Sequence, residues 1–195
     1  GVRVTAKAAA PITATATTPA ATATGADQRP APATPGPHQL VRLPADATHL
    51  VLSVGGNDAL RHMDILQERA TSAAGVLGRL ADIQDEFAAR YDAMLRAVLS
   101  RGLPTAVCTI YNANFPDLTL QRLSTTAAAV FNDVILRAAF AAGLPVIDLR
   151  LMFDEEADYA NAIEPSAQGG AKIARTVVRV VEEHDFAARR STIFV

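Results

Sequence analysis

A length of 195 residues suits one domain with a sizeable core; half of the residues are apolar, much of that alanine, and the mean hydropathy is +0.17. A net charge of -2 excludes the basic footprint of a nucleic-acid-binding domain and a polybasic membrane patch, and no run of about 18 strongly apolar residues offers a membrane span. The single cysteine, Cys108, excludes an intrachain disulfide; within an apolar run it reads as a buried, inert thiol rather than a nucleophile, and a chain without disulfides fits a cytoplasmic location.

Residues 1–37 stand apart. About 70% of them are Ala, Thr or Pro, with almost no large apolar side chain to bury, so they read as a disordered, low-complexity arm. The arm begins without methionine and lacks the basic stretch followed by an apolar one that marks a secretory signal, while Val2-Arg3-Val4-Thr5 has the makeup of a short strand. Residues 38–195 have the texture of a folded domain. Gln39 to Leu43 reads as a helical turn, and Leu50 to Val54 as a buried strand that stops at Gly55 and Gly56. A short helix follows to about Gln67, then a long one from Ala74 to Ser100 with apolar residues at helical spacing, closed by Gly102. Leu103 to Ile110 is a second strand, Thr119 to Ala142 a third helix stopped by Gly143, and Pro145 to Leu149 a third strand. The acidic run Asp154, Glu155, Glu156 and Asp158 reads as a solvated surface. Ser166 is placed to cap the last helix, where Gly169 and Gly170 signal tight packing or the approach of a ligand. The tail from Phe186 to Val195 packs as an extra strand or stays loose. Strands alternating with helices of these lengths predict parallel pairing through crossovers, hence an α/β fold: a three-layer α/β/α sandwich on a flavodoxin-like parallel sheet.

Two glycines at the end of a buried strand let a ligand reach the main chain, and they set Asn57 and Asp58 where open α/β sheets bind ligands. The alternative is a plain exit in which Asn and Asp serve turn chemistry. The Tyr111 to Pro116 loop and the run Asn161-Ala-Ile-Glu164-Pro165-Ser166 are expected at the same sheet edge. Together these segments resemble the SGNH hydrolases, the GDSL esterase and lipase family, over about Gln39 to Ala188. Gly55-Gly56-Asn57-Asp58 matches the family's Gly-x-Asn-Asp block, and Glu164 to Ala174 is similar to its last block and the helix after it. The resemblance implies hydrolysis of a small ester or related acyl substrate by a serine nucleophile, with no metal and no organic cofactor. It gives Asn57 the role of donor to the oxyanion, worth about 3 kcal/mol of barrier. Gly55, Gly56, Asp58 and Asn161 then shape the site, Asp58 as a brace of its loop.

Two departures qualify the match. The family's Gly-Asp-Ser block is absent: no such triplet occurs in the chain, and residues 1–38 contain no serine. The last block normally reads Asp-x-x-His, with the imidazole taking the serine proton, whereas Asn161 and Glu164 stand here. An ordinary carboxylate, near pKa 4.3, is a weak base for a hydroxyl unless burial raises it. Glu164 is therefore a candidate base, with Asp158 assisting; the alternative is that Glu164 and Ser166 only organise a helix entry. Among the histidines, His62 is the one expected to face the site. In the family's sheet the first strand is central, so a chain beginning after it is expected to lack that strand and to leave a gap between neighbours. Residues 1–37 are accordingly read as something other than the family's native start. The expectation is an ester hydrolase by lineage that is inactive or impaired as written, the alternative being a non-catalytic pseudo-enzyme or small-molecule binding domain of the same fold.

Overall fold

The structure is a computed structural model that describes residues 40 and 43–195. The readings of the arm, of Val2 to Thr5 and of most of the Gln39 to Leu43 turn lie outside the described residues; Leu40 itself is helical. Strand β1 (Leu50–Leu52) leads through Gly55 into α1 (Gly56–Arg61) and a 3-10 turn (Met63–Gln67), and the long helix α2 (Ala73–Leu99) follows. Next come β2 (Thr105–Cys108), α3 (Leu118–Ala141), β3 (Val146–Ile147) and the single turn α4 (Leu149–Met152). A 3-10 turn (Glu156–Asp158), α5 (Ala167–Glu183), another 3-10 turn (Phe186–Ala188) and β4 (Ile193–Phe194) complete the chain.

Local chemistry sets the helix ends. The Ser72 hydroxyl accepts the Gly75 amide at the start of α2, Asp117 accepts those of Thr119 and Leu120 at α3, and Ser166 those of Gln168 and Gly169 at α5. Gly102 and Gly143 turn the chain back with φ of +69° and +66°, angles that suit glycine alone at little cost. The tail is ordered as a strand, and the acidic run follows the single turn α4 and ends in a 3-10 turn, Glu156–Asp158.

All four strands are parallel and lie in chain order, β1-β2-β3-β4. No gap between neighbours exists among the described residues, contrary to the expectation from the family's sheet: β1 forms one edge, with β2 beside it. Alternation along the strands separates two cores. Leu52, Val107 and Val146 pack against Ile83, Phe87, Tyr91, Leu95 and Val98 of α2 and Phe131, Val134 and Ile135 of α3. Ala106, Cys108 and Ile147 point to the other face, against Leu149 and Met152 of α4, Val180 of α5 and Phe194 of β4. The result is a three-layer α/β/α sandwich in which each fully buried aliphatic side chain contributes about 2 kcal/mol. Parallel pairing brings the carboxyl ends of β1, β2 and β3 to one edge, and three loops meet there.

Candidate active site

At the end of β1 the main chain turns sharply through Gly55, whose φ is +111°. A Cβ on Gly55 would lie 2.9 Å from the terminal Cδ1 of Ile110 and 3.1 Å from Cζ of Phe87, a tight fit, but it is the backbone angle that requires glycine there. Gly56 differs. It is the first residue of α1, with negative φ and only Ile110 Cγ2 at 3.9 Å, so the second glycine of the pair is not demanded by the backbone. Asn57, on the next helical position, is exposed, and its amide makes no hydrogen bond among the described residues. Asp58 points to α2, its Oδ1 3.5 Å from Nη2 of Arg90, which also faces Glu86.

The second loop is held from below by polar side chains in α3. Asn132, almost fully buried, accepts the Ile110 amide at 2.7 Å and donates to the Ile110 carbonyl at 2.9 Å, replacing the ladder bonds that end with β2. Gln121 does the same further out, donating to the Ala113 carbonyl at 2.6 Å and accepting the Phe115 amide at 2.8 Å.

The third loop carries Asn161 and Glu164. Tyr159 and Pro165 form an antiparallel bridge at its base, and the Ala160 amide donates to the Glu164 carbonyl at 2.8 Å. Within the turn, Asn161 Oδ1 accepts the amides of Ile163 (2.9 Å) and Glu164 (3.0 Å), while its Nδ2 donates to Glu164 Oε2 at 2.6 Å. Two main-chain donors on Oδ1 fix which way the Asn161 amide faces. Glu164 is exposed rather than buried. The second and third loops clasp each other: the Tyr111 hydroxyl donates to the Ile163 carbonyl (2.7 Å), the Tyr159 hydroxyl to that of Asn112 (2.9 Å), and the Asn114 amide to that of Ala162 (2.7 Å). Burial pushes the Tyr111 phenol up to about 12, with Tyr159 and the Glu164 carboxylate adding to it.

Beneath this edge run two polar anchors: Asp148, which sequence reasoning did not single out, and Asp158, which it read as solvated and as an assistant to Glu164. Asp148, nearly inaccessible, accepts the Thr109 hydroxyl at 2.8 Å and Arg150 Nε at 2.8 Å, and the Leu149 amide donates to Thr109 Oγ1. Burial raises its carboxyl pKa, but the Arg150 and Thr109 hydrogen bonds outweigh it and leave the group below its ordinary value. The solvated reading of the acidic run is corrected at Asp158, which is 0% exposed. Its Oδ2 meets Lys172 Nζ at 2.8 Å and accepts the amides of Asp154 and Glu155, and its Oδ1 accepts Gln168 Nε2 at 3.1 Å. A carboxylate this enclosed needs several donors, and α5 supplies two of them. Here too burial opposes ionisation and is outweighed, chiefly by Lys172, so the carboxyl is held below its usual range.

The remaining sequence candidates have other neighbours. The His62 ring sits 6.3 Å from that of Phe131, a residue of the α2/α3 core. Cys108 is buried, its thiol pushed up to about 12 by burial despite the Ser53 hydroxyl against it. Five of the six serines have hydrogen-bond partners other than Asn57 and Glu164: Ser72 and Ser166 cap helices, and Ser100, Ser124 and Ser191 donate to the carbonyls of Ala97, Gln121 and Ala139, while Ser53 lies beside Cys108. No helix among the described residues is long and apolar enough to cross a membrane.

Comparison with known proteins gives a consistent lineage. No curated protein matches the chain. Among solved structures, the extracellular lipase from Streptomyces rimosus superposes with a TM-score of 0.53, covering 72% of this chain and 72% of that chain at 18% identity, a likeness of fold. The model of the GDSL-like Lipase/Acylhydrolase family matches residues 5–172, reaching from within the low-complexity stretch to the second turn of α5 and taking in all three loops of the site. The chain belongs to the GDSL-like lipase/acylhydrolase family.

Proposed function

We propose that the edge formed by the three loops takes a small ester or acyl molecule, and that this chain hydrolyses it poorly or not at all. In this reading Asn57 donates its amide to the acyl oxygen and Glu164 faces the ligand from the third loop. Gly55 makes the turn out of β1, Gly56 leaves the approach open, Asp58 braces α1 on α2, and Asn161 orients Glu164. The observation that carries the reading is the disposition of the serines: among the described residues the hydrogen-bonded ones engage carbonyls or helix ends, and none is paired with Asn57 or Glu164. Asp158 is a poor assistant to Glu164, being enclosed and paired with Lys172.

Hydrolysis of p-nitrophenyl acetate and butyrate tests the reading. The expected rate equals that of buffer with heat-denatured protein; turnover that disappears in Asn57→Ala and in Glu164→Gln would establish an enzyme instead. The non-hydrolysable amide N-(4-nitrophenyl)butanamide separates an impaired esterase or a binding domain from an empty scaffold. Binding is expected to shift the backbone amide resonances of Gly55 to Asp58 and of Asn161 to Glu164. Shifts confined to other parts of the chain would sink the site.

A further inference from the structure

We infer that Tyr111 is a positioning residue for Glu164, acting through the hydrogen bond its hydroxyl donates to the Ile163 carbonyl. The inference rests on the reading that Glu164 faces the bound ligand. Glu164 is exposed on a seven-residue turn, residues 159–165, whose base is pinned by the Tyr159–Pro165 bridge and the Ser166 cap. Its tip is tied internally only through the Asn161 side chain. The tip is fastened from outside, at Ile163 by Tyr111 Oη and at Ala162 by the Asn114 amide. The Tyr111 ring is itself immobilised, stacked on Phe153 with centroids 4.6 Å apart and planes 14° apart, and edge-on to Tyr159 at 6.2 Å. Phe153 is buried in the core beneath α5. A rigid aromatic stem with one polar end thus carries the order of the core out to the main chain next to Glu164. The Tyr111 bond orients the Ile163–Glu164 peptide and the Asn114 bond the Ala162–Ile163 peptide, so that the Glu164 and Ile163 amides point at Asn161 Oδ1, which fixes the amide that in turn holds the carboxylate.

Tyr111→Phe keeps the stack and deletes only the hydroxyl, so the fold is retained. N-(4-nitrophenyl)butanamide is titrated into the wild type, Tyr111→Phe, Glu164→Gln and the double variant. Loss of one hydrogen bond that orders a contact group predicts about fivefold weaker binding for each single variant. The double variant is expected to bind no worse than Glu164→Gln alone, because Tyr111 acts through Glu164. Additive losses, or unchanged binding in Tyr111→Phe while Glu164→Gln weakens it, overturn the positioning role. If Glu164→Gln itself leaves binding unchanged, the reading of the site fails, and amide exchange decides the inference separately. Exchange at Ile163 and Glu164 is expected to be about tenfold faster in Tyr111→Phe, with Val107 unchanged; equal exchange at Ile163 and Glu164 refutes it.

Discussion

Gly169 and Gly170 sit side by side in the first turn of α5, and alanine is expected to have opposite effects at the two. A Cβ on Gly169 would overlap the main-chain oxygen of Asp158 and lie 3.0 Å from both Cε1 and Cζ of Phe153. The oxygen is part of the backbone and already accepts the Ser166 amide at 2.8 Å, so it has no free rotation by which to yield. Relief needs α5 or residues 156–158 to retreat by about 1 Å, against the Asp158–Lys172 pair that ties them together. Overpacking of this kind costs about 3 kcal/mol. Gly170 has nothing within 4 Å of its Cβ position, and a helical Gly→Ala change there contributes about 1 kcal/mol through the unfolded chain. For a domain of this size the difference corresponds to a Tm about 9 °C lower for Gly169→Ala and about 3 °C higher for Gly170→Ala. Thermal and urea unfolding of the two variants against wild type give the answer. A Gly169→Ala protein melting at or above wild type would refute the packing account and leave ligand approach as the reason for glycine at that position.

Two further outcomes follow from buried polar groups. Asn132→Ala strips partners from both the amide and the carbonyl of Ile110 and is expected to cost about 3 kcal/mol in urea unfolding, whereas Asp133→Ala, half-exposed on the same helix, is expected to cost under about 1 kcal/mol. Asp148 and Asp158 have folded pKa values below their unfolded ones, so the stability they contribute is present above about pH 4 and is lost as pH falls through the lower folded values. Lys172→Met removes the cation facing Asp158 and is expected to lower the Tm at pH 7 by more than at pH 3, measured by calorimetry at both pH values; equal losses would argue against an ionised Asp158.

The helices and the layer order were legible because periodicity and caps are local: Ser166 before α5 and the apolar positions of α2 needed no knowledge of their partners. The parallel sheet followed from alternation of strand and helix. The gap expected in the sheet rested on the family's strand order, yet the strands described are consecutive neighbours, and an edge costs less than an interior vacancy because water can reach its main chain. Asp158 was misread because its enclosure depends on α5 folding over it from residues 10 to 14 positions later in the chain. Asn132 and Gln121 were passed over for a similar reason: a polar residue on a long helix carries meaning only when the loop it holds, 6 to 22 residues away, is known. The residues of the candidate site were legible as types and spacing, while the tyrosine clasp between two loops was not.

Positions 161 and 164 bear most directly on the chemistry. In the Asp-x-x-His pattern that this turn resembles, the first residue accepts a hydrogen bond and the fourth donates it. Here Asn161 Oδ1 is saturated by two main-chain amides, so the side chain can only donate, and Glu164 accepts. In the proposed reading, the turn keeps the pair and its hydrogen bond with donor and acceptor exchanged. Changing Asn161 alone should therefore break it, and changing Glu164 alone should weaken it. Asn161→Asp sets two carboxylates against each other, and Glu164→His leaves an imidazole that can accept from the Asn161 amide only while it is neutral. The double variant should restore a hydrogen bond of the family's polarity. Expected results are a lowered Tm for Asn161→Asp, recovery in Asn161→Asp/Glu164→His, and an introduced imidazole that titrates at higher pH beside Asp than beside Asn, because a neighbouring carboxylate favours its charged form. An imidazole with the same NMR titration midpoint in both backgrounds would show that the pair is not coupled in solution, and Glu164 would then be an ordinary surface carboxylate rather than the remnant of a catalytic turn.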